Sequence, residues 1–339
     1  MRVAKLGLER GYALAVGLVA AYVGAVLFSV LATRMSGQAT LWLATGFLAS
    51  ALILTPRSQH AAICMACAFG QAGVNLAVGD GVLKALLYPS VNVVEAAVAA
   101  WLAISFCGAK ARRLSLRELT LLVVGAIVPA AMVGGAVGSL VNFAVRGEGL
   151  LDGWLDWAIP AALGMVIVTP TVLFMARIGR YPEFRRPLVE VLALLGLLCG
   201  LTAVVYVQHD LPVQFGIFPA LTLIAVRLGP PGAAVATLLV TVISLPLVTL
   251  GPAQASLWPT LDAFARARLT EVVIAAALFS ALATAVSVAD QARLKSLVLR
   301  RDRVARAARA RARAAEDAVR QRAADAADAP VQAVSEVIA

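Results

Sequence analysis

Apolar residues along this chain fall into long runs separated by short clusters of Arg, Lys, Gly and Pro. They show neither the strict alternation of a half-buried strand nor the narrow stripe of a surface helix. Ten runs can be marked, at 12–33, 40–55, 60–78, 83–106, 117–145, 154–176, 188–208, 213–228, 232–250 and 270–290. A bilayer core about 30 Å thick needs roughly 20 apolar residues of helix. The runs therefore predict an all-α, polytopic helical membrane protein with eight to ten transmembrane helices. The second and eighth runs are short; tilting, re-entry and burial inside the bundle all stay open for them. The first run follows Arg2, Lys5 and Arg10 like a signal peptide. It has the length of a full span and no clear small-x-small cleavage site, so it is read as a retained helix.

Beyond about Asp290 the pattern changes to Ala and Arg, both strong helix formers. This predicts a C-terminal helix to about Ala327, stopped by Pro330, with a frayed end. Leu294, Leu297, Val304, Ala308, Ala315 and Val319 form a loose heptad with Arg301 intruding. A paired stalk and a solvated basic helix lying against headgroups both fit it.

Composition agrees with the pattern. Of 339 residues 61% are hydrophobic and 14% charged, with a mean hydropathy of +0.88. A soluble domain carries about twice that charge. Four cysteines are too few for a disulfide scaffold.

The net charge of +10 has a local origin. If all ten runs cross and the N-terminus is cytoplasmic, thirteen Lys/Arg fall in cytoplasmic loops and five outside. The thirteen are Arg2, Lys5, Arg10, Arg57, Lys110, Arg112, Arg113, Arg117, Arg177, Arg180, Arg185, Arg186 and Arg227; the five are Arg34, Lys84, Arg146, Arg266 and Arg268. The eleven Lys/Arg of the tail then also fall inside, as the positive-inside rule requires. Both termini are expected to be cytoplasmic and the partner of the basic segments to be the anionic lipid bilayer, not nucleic acid.

No Gly-rich phosphate loop, paired carboxylates or Ser/His/Asp set is recognisable, and the two histidines, His60 and His209, lie at predicted helix boundaries. The chain is not read as an enzyme, and neither a cofactor nor a metal is expected.

Within the spans, Glu95 is the most informative residue. A carboxyl group at mid-span costs a few kcal/mol on insertion scales, so it faces the bundle interior with a partner or a function. Asn92 lies one turn earlier on the same face, and Pro89 removes a backbone donor below it. A ligand, ion or proton site at Asn92 and Glu95 and a hydrogen-bonded packing role both remain open. Gln71 and Asn75 can meet the same interior. Trp42 and Thr45 open the second run, with Trp42 also readable as an interface aromatic, as are Trp154, Trp157 and Trp258. Arg227 is either a site residue or a headgroup-snorkelling one.

Cys64 and Cys67 are read as packing residues. Gly134, Gly135 and Gly138, and likewise Gly196 and Gly200, suggest close helix approach. Pro160, Pro170, Pro219 and Pro246 suggest broken or kinked helices. Runs one to three and seven to nine share a long, short, long order with a Pro-containing turn, suggesting a parallel repeat.

These markers resemble, in order, the MASE1 family of bacterial membrane-associated sensor regions, found at the N-terminus of histidine kinases, diguanylate cyclases and phosphodiesterases. The Trp-Pro-x-x-Gly type motif corresponds to Trp42-Leu43-Ala44-Thr45-Gly46, with Leu43 for Pro. The Gly-Asn-x-x-Glu-Ala signature corresponds to Asn92, Glu95 and Ala96, with Val91 for Gly. Asn75 matches the Asn before a short loop. Trp154, Trp157, Gly164 and Pro170 match a Trp-rich helix, with Ala161 where Asp is common. Phe218, Pro219, Arg227, Gly229 and Gly232 match the Phe-Pro…Arg-x-Gly helix. The resemblance spans about 10–290.

The resemblance implies a sensor of the inner membrane: residues 1–11 form a cytoplasmic N-terminus, 12–290 the sensor region, 291–329 a basic cytoplasmic helix and 330–339 a disordered tail. Glu95, Asn92, Asn75, Trp42, Thr45 and Arg227 are the candidate signal-binding residues. No PAS, GGDEF or kinase module is recognisable after the stalk. The expected partner is a separate cytoplasmic signalling protein, or a second copy in a homodimer; a truncated remnant is the other possibility. The alternative reading is a small-solute transporter or permease with a buried Glu site.

Overall fold

The computed structural model describes residues 2–36, 41–108, 114–147, 149, 153–181, 184, 186–207, 213–250 and 263–338. Side chains are described for these except 2–10, 35–36, 213–214, 248–250, 263–268 and 321–338. Lys110, Arg112, Arg113, Arg185, His209 and Trp258 lie outside the described residues, as do the side chains of Arg2, Lys5, Arg10, Arg266 and Arg268.

The described chain is helical throughout: α1 Arg2–Ser36, α2 Ala44–Leu54, α3 Arg57–Ala77 and α4 Val82–Cys107, then α5 Leu116–Arg146. After it come α6 Trp154–Ala176, α7 Leu188–Val207, α8 Ile217–Leu250 and α9 Ala263–Ile338. Among the described residues, eight helices are long and apolar enough to cross a membrane; α2 falls short of that length. The protein is thus a polytopic all-α membrane protein.

The eighth and ninth predicted runs form one element, α8, broken at Gly229, whose φ of 66° and ψ of −165° are non-helical. Only glycine adopts that conformation without penalty, and Pro230 and Pro231 restart the helix with φ already set. A Cβ on Gly232 would overlap the Leu228 side chain, so the break is tight.

Ties between helix ends order the bundle. Arg34 at the end of α1 lies 3.7 Å from Asp80 in the α3–α4 turn. At another corner the Leu114 amide donates to the Tyr181 hydroxyl at 3.2 Å, and the Cys107 thiol faces the Glu118 carbonyl at 3.4 Å. The ends of α4 and α6 therefore meet the start of α5. There a Ser115–Glu118 capping box opens α5, and burial pushes the Arg177 guanidinium below the usual arginine range. Glu190 in the first turn of α7 holds Arg227 at 2.6 Å, just before the α8 break.

The interior is lined with small residues. Ala44, Ala85, Ala96, Ala126, Ala130, Ala225, Ala233, Ala234, Ala236 and Ala285 have no exposed surface. Small side chains let backbones approach, which is how helices associate in lipid. Gly134, Gly135 and Gly138 face Glu95, Trp154 and Trp157 at under 3 Å from a notional Cβ. Gly196 and Gly200 do not serve in this way: nothing lies within 4 Å of either notional Cβ. Trp154 and Trp157 are likewise interhelical, the Trp154 indole donating to the Met132 carbonyl at 2.9 Å. Their position beside a glycine face, invisible in a linear sequence, replaces the expected interface role.

The chain divides into two compact units, Met1–Ala289 and Asp290–Ala339. In the second, every side chain described from 291 to 320 is exposed. The helix continues past Pro330 to Ile338, beyond the expected stop. A proline ring costs about 3 kcal/mol inside a helix; the Ala-rich stretch before it, residues 323–329, favours helix up to that point.

Candidate functional site

The first unit contains a buried polar cluster where α1, α2, α3, α4 and α5 meet. Tyr22, Thr45, Gln71, Asn92 and Glu95 have no exposed surface. The Gln71 carbonyl oxygen accepts from the Tyr22 hydroxyl and from the Asn92 amide at 2.8 Å. Glu95 lies one turn beyond Asn92, and neither of its oxygens has a hydrogen-bond partner. Its carboxyl carbon is 2.7 Å from the notional Cβ of Gly134, so glycine on α5 makes room for it. Thr45 is close enough to interact with Glu95, but its hydroxyl falls outside hydrogen-bonding geometry. The Gln71 Nε2 and Asn92 Oδ1 atoms are also unpartnered.

Two backbone irregularities lie on the elements that build this cluster. Leu41, Trp42 and Leu43 enter the bundle extended or turning, before α2 begins at Ala44. The Trp42 amide donates to the Pro160 carbonyl at 3.2 Å on α6. Non-helical backbone is tolerated at membrane depth only inside protein, and Leu41 and Leu43 are each 3% exposed. Thr45 and Gly46 thus open a short helix whose N-terminal end carries partial positive charge, with the Gly46 amide donating to the Leu43 carbonyl at 3.2 Å. In α5, residues Leu121–Ile127 form a π-helical turn against α4.

Among the expected site residues, the fold brings Asn92, Glu95 and Thr45 together. Trp42 is adjacent in chain, with its indole nitrogen buried and unpartnered. Asn75 is 2% exposed near the end of α3, and its backbone carbonyl accepts from the Asp80 amide at 2.9 Å. Arg227 is elsewhere, bound to Glu190 through Nε at 3.0 Å and Nη2 at 2.6 Å. With Arg227 51% exposed, such a pair contributes about 0–1 kcal/mol. Arg227→Gln is therefore expected to leave thermal unfolding in detergent within about 1 kcal/mol of wild type. A larger loss would give Arg227 a structural role beyond the pair.

Sequence reasoning missed Tyr22, Ser139 and Glu271. Tyr22 hides in an apolar run, yet a phenol at mid-span is itself a signal, since its hydroxyl requires a partner. Glu271, 2% exposed, lines a cavity of water-molecule size with Thr241, Thr270 and Leu41. Cys64 and Cys67 are free thiols, and among the described residues no cluster of three or more His, Cys, Asp or Glu could hold a metal.

The MASE1 family model matches residues 13–253, and the chain belongs to that family of membrane-associated sensor domains. No curated protein and no solved structure matches the chain significantly.

Proposed function

We propose that the chain is a non-enzymatic signal-input protein of the bacterial inner membrane, with both ends in the cytoplasm and Glu95 at its sensing site. The observation that carries this reading is a fully buried carboxyl group with neither oxygen bonded. An unsatisfied charged group costs more than the 1–3 kcal/mol of a neutral one, so it is kept for a role other than stability. The arginine asymmetry supports the orientation. The stimulus changes how α2, α4 and α5 pack around Glu95, and α9 carries the change to a cytoplasmic signalling protein. A stimulus acts this way only through its differential affinity for the two packings.

Hydrogen–deuterium exchange across 291–320 tests the relay, using full-length protein in nanodiscs. Glu95→Gln and Gly134→Ala, which crowds the same carboxyl group, are expected to change exchange of this segment at least about threefold, an effect of roughly 0.65 kcal/mol. Exchange identical in wild type and both variants would defeat the relay. Saturable counterflow abolished by Glu95→Gln would instead make the protein a permease.

A further inference from the structure

Glu95 lies at the inner end of a file of polar side chains on one face of α4. Lys84, Tyr88, Asn92 and Glu95 follow at intervals of four, four and three residues. Over that distance a helix rises roughly 16 Å, about half of a 30 Å core. At the outer end of the file, Asp80 holds Lys84 at 2.8 Å and Arg34 at 3.7 Å. The Lys84 ammonium lies 5.4 Å from the centre of the Tyr88 ring. The Tyr88 hydroxyl donates to Asn142 at 2.7 Å on α5, and its ring meets Trp157 edge-on at 5.2 Å.

From Asn142 towards Gly134, which faces Glu95, α5 also carries Ser139, buried with an unpartnered hydroxyl. Pro89 removes the amide that would bond the Ala85 carbonyl, adding an acceptor to the same stretch. Apolar packing would have cost nothing along this face; polar groups instead run from the bundle end to Glu95.

We propose that Glu95 binds a proton, and that the proton exchanges with the end of the bundle bearing Arg34, Asp80 and Lys84 along this file. This deepens the reading of Glu95 as the sensing residue. Glu95 Oε1 and Oε2 and Asn92 Oδ1 are unpartnered acceptors, beside the unpartnered Thr45 hydroxyl and Gln71 Nε2; Glu95 is the group among them whose charge a proton removes. The carboxyl group rests tightly against Gly134, which suits a ligand with no volume of its own. In the step, a hydronium ion at the Asp80 end loses a proton and becomes water, each relaying hydroxyl or water takes up one proton and releases one, and one Glu95 carboxylate oxygen forms the new O–H bond; no electrons are transferred.

The titratable groups facing the cluster from other helices, among the described residues, are the Tyr22 phenol on α1 and the Cys64 and Cys67 thiols on α3. Thr45 on α2 and Gly134, Ser139 and Asn142 on α5 contribute none. On α4 itself the charged group in the file is Lys84, held by Asp80.

Carbodiimide modification of Glu95 is the test, because the reagent reacts with protonated carboxyl groups. Full-length protein is reconstituted in one orientation, with the pH set separately on the two faces between about 5 and 9. An impermeant maleimide reacting with Lys84→Cys identifies the Asp80 face, and Glu95→Gln supplies the blank. Modification, read by peptide mass, is expected to fall about tenfold per unit of rising pH once the carboxylate is the major form, and to follow the Asp80 face. Asn142→Leu is expected to slow that response several-fold.

Modification independent of pH, or following only the opposite face, would overturn the proposal. So would suppression by sodium at constant pH, which would make the ligand an alkali cation. Because modification is read apart from exchange in 291–320, a pH-sensitive Glu95 with an unresponsive tail would leave this inference standing and remove the relay.

Discussion

Gly164→Ala is expected to destabilise the protein by about 3 kcal/mol, the upper end of the usual cost of overpacking. The methyl group would run into the carbonyl of Trp42 and stand 3.0 Å from the Leu43 amide. Both are backbone groups of the segment that leads into α2. That segment cannot step aside cheaply, since the Trp42 amide is tied to Pro160 and Leu41 and Leu43 are fully enclosed. The same contact is tight from the other side, where a Cβ on Gly46 would meet Val168 at 2.6 Å. One methyl group therefore pushes α2 away from α6 as a unit. Gly200→Ala is the matched control: nothing lies within 4 Å of its notional Cβ, and replacing a mid-helix glycine gains up to about 1 kcal/mol of propensity. Thermal unfolding in detergent separates the two. If Gly164→Ala unfolds like wild type, or Gly200→Ala is the more damaged, the account of the α2–α6 contact is wrong.

That contrast also marks what the chain reveals before folding. Span positions, the helical class and Glu95 follow from hydropathy, because lipid forces each backbone polar group into helical bonding and makes a mid-span carboxyl conspicuous. Glycines are different. Gly164 and Gly200 look alike in sequence, and only the path of the neighbouring helix decides that one touches backbone and the other touches nothing. Trp154 and Trp157 suffer from the same blindness, since an aromatic near a span end suits an interface belt and a glycine groove equally. Arg227 was expected either to join the site or to reach for headgroups, yet Glu190, thirty-seven residues earlier, takes it. The break at Gly229 was legible as a turn. That the two arms would be read as one element follows from how short the non-helical stretch is: a single residue. Tyr22 went unnoticed because its partners, Gln71 and Asn92, lie on other helices.

Glu95→Gln is expected to raise stability at neutral and alkaline pH while abolishing the response of 291–320. Glutamine keeps the volume and shape of glutamate, so the fit against Gly134 is preserved. It removes the charge that a carboxylate would carry with neither oxygen bonded. It also supplies an amide donor near Asn92 Oδ1 and Thr45, two acceptors now without partners. Relieving a buried unsatisfied group gains about 1–3 kcal/mol; the gain should grow as pH rises and shrink in acid, where wild-type Glu95 already holds a proton. Glu95→Ala serves as the contrast. It deletes the charge too, but leaves a cavity beside Gly134 and costs stability in the manner of other large-to-small changes. Unfolding midpoints of the three proteins between about pH 5 and about pH 9 decide the matter. A gain for Glu95→Gln that is the same at every pH would mean that the wild-type carboxyl never titrates in that range. A loss would mean that it makes a bond in the folded protein that glutamine cannot replace.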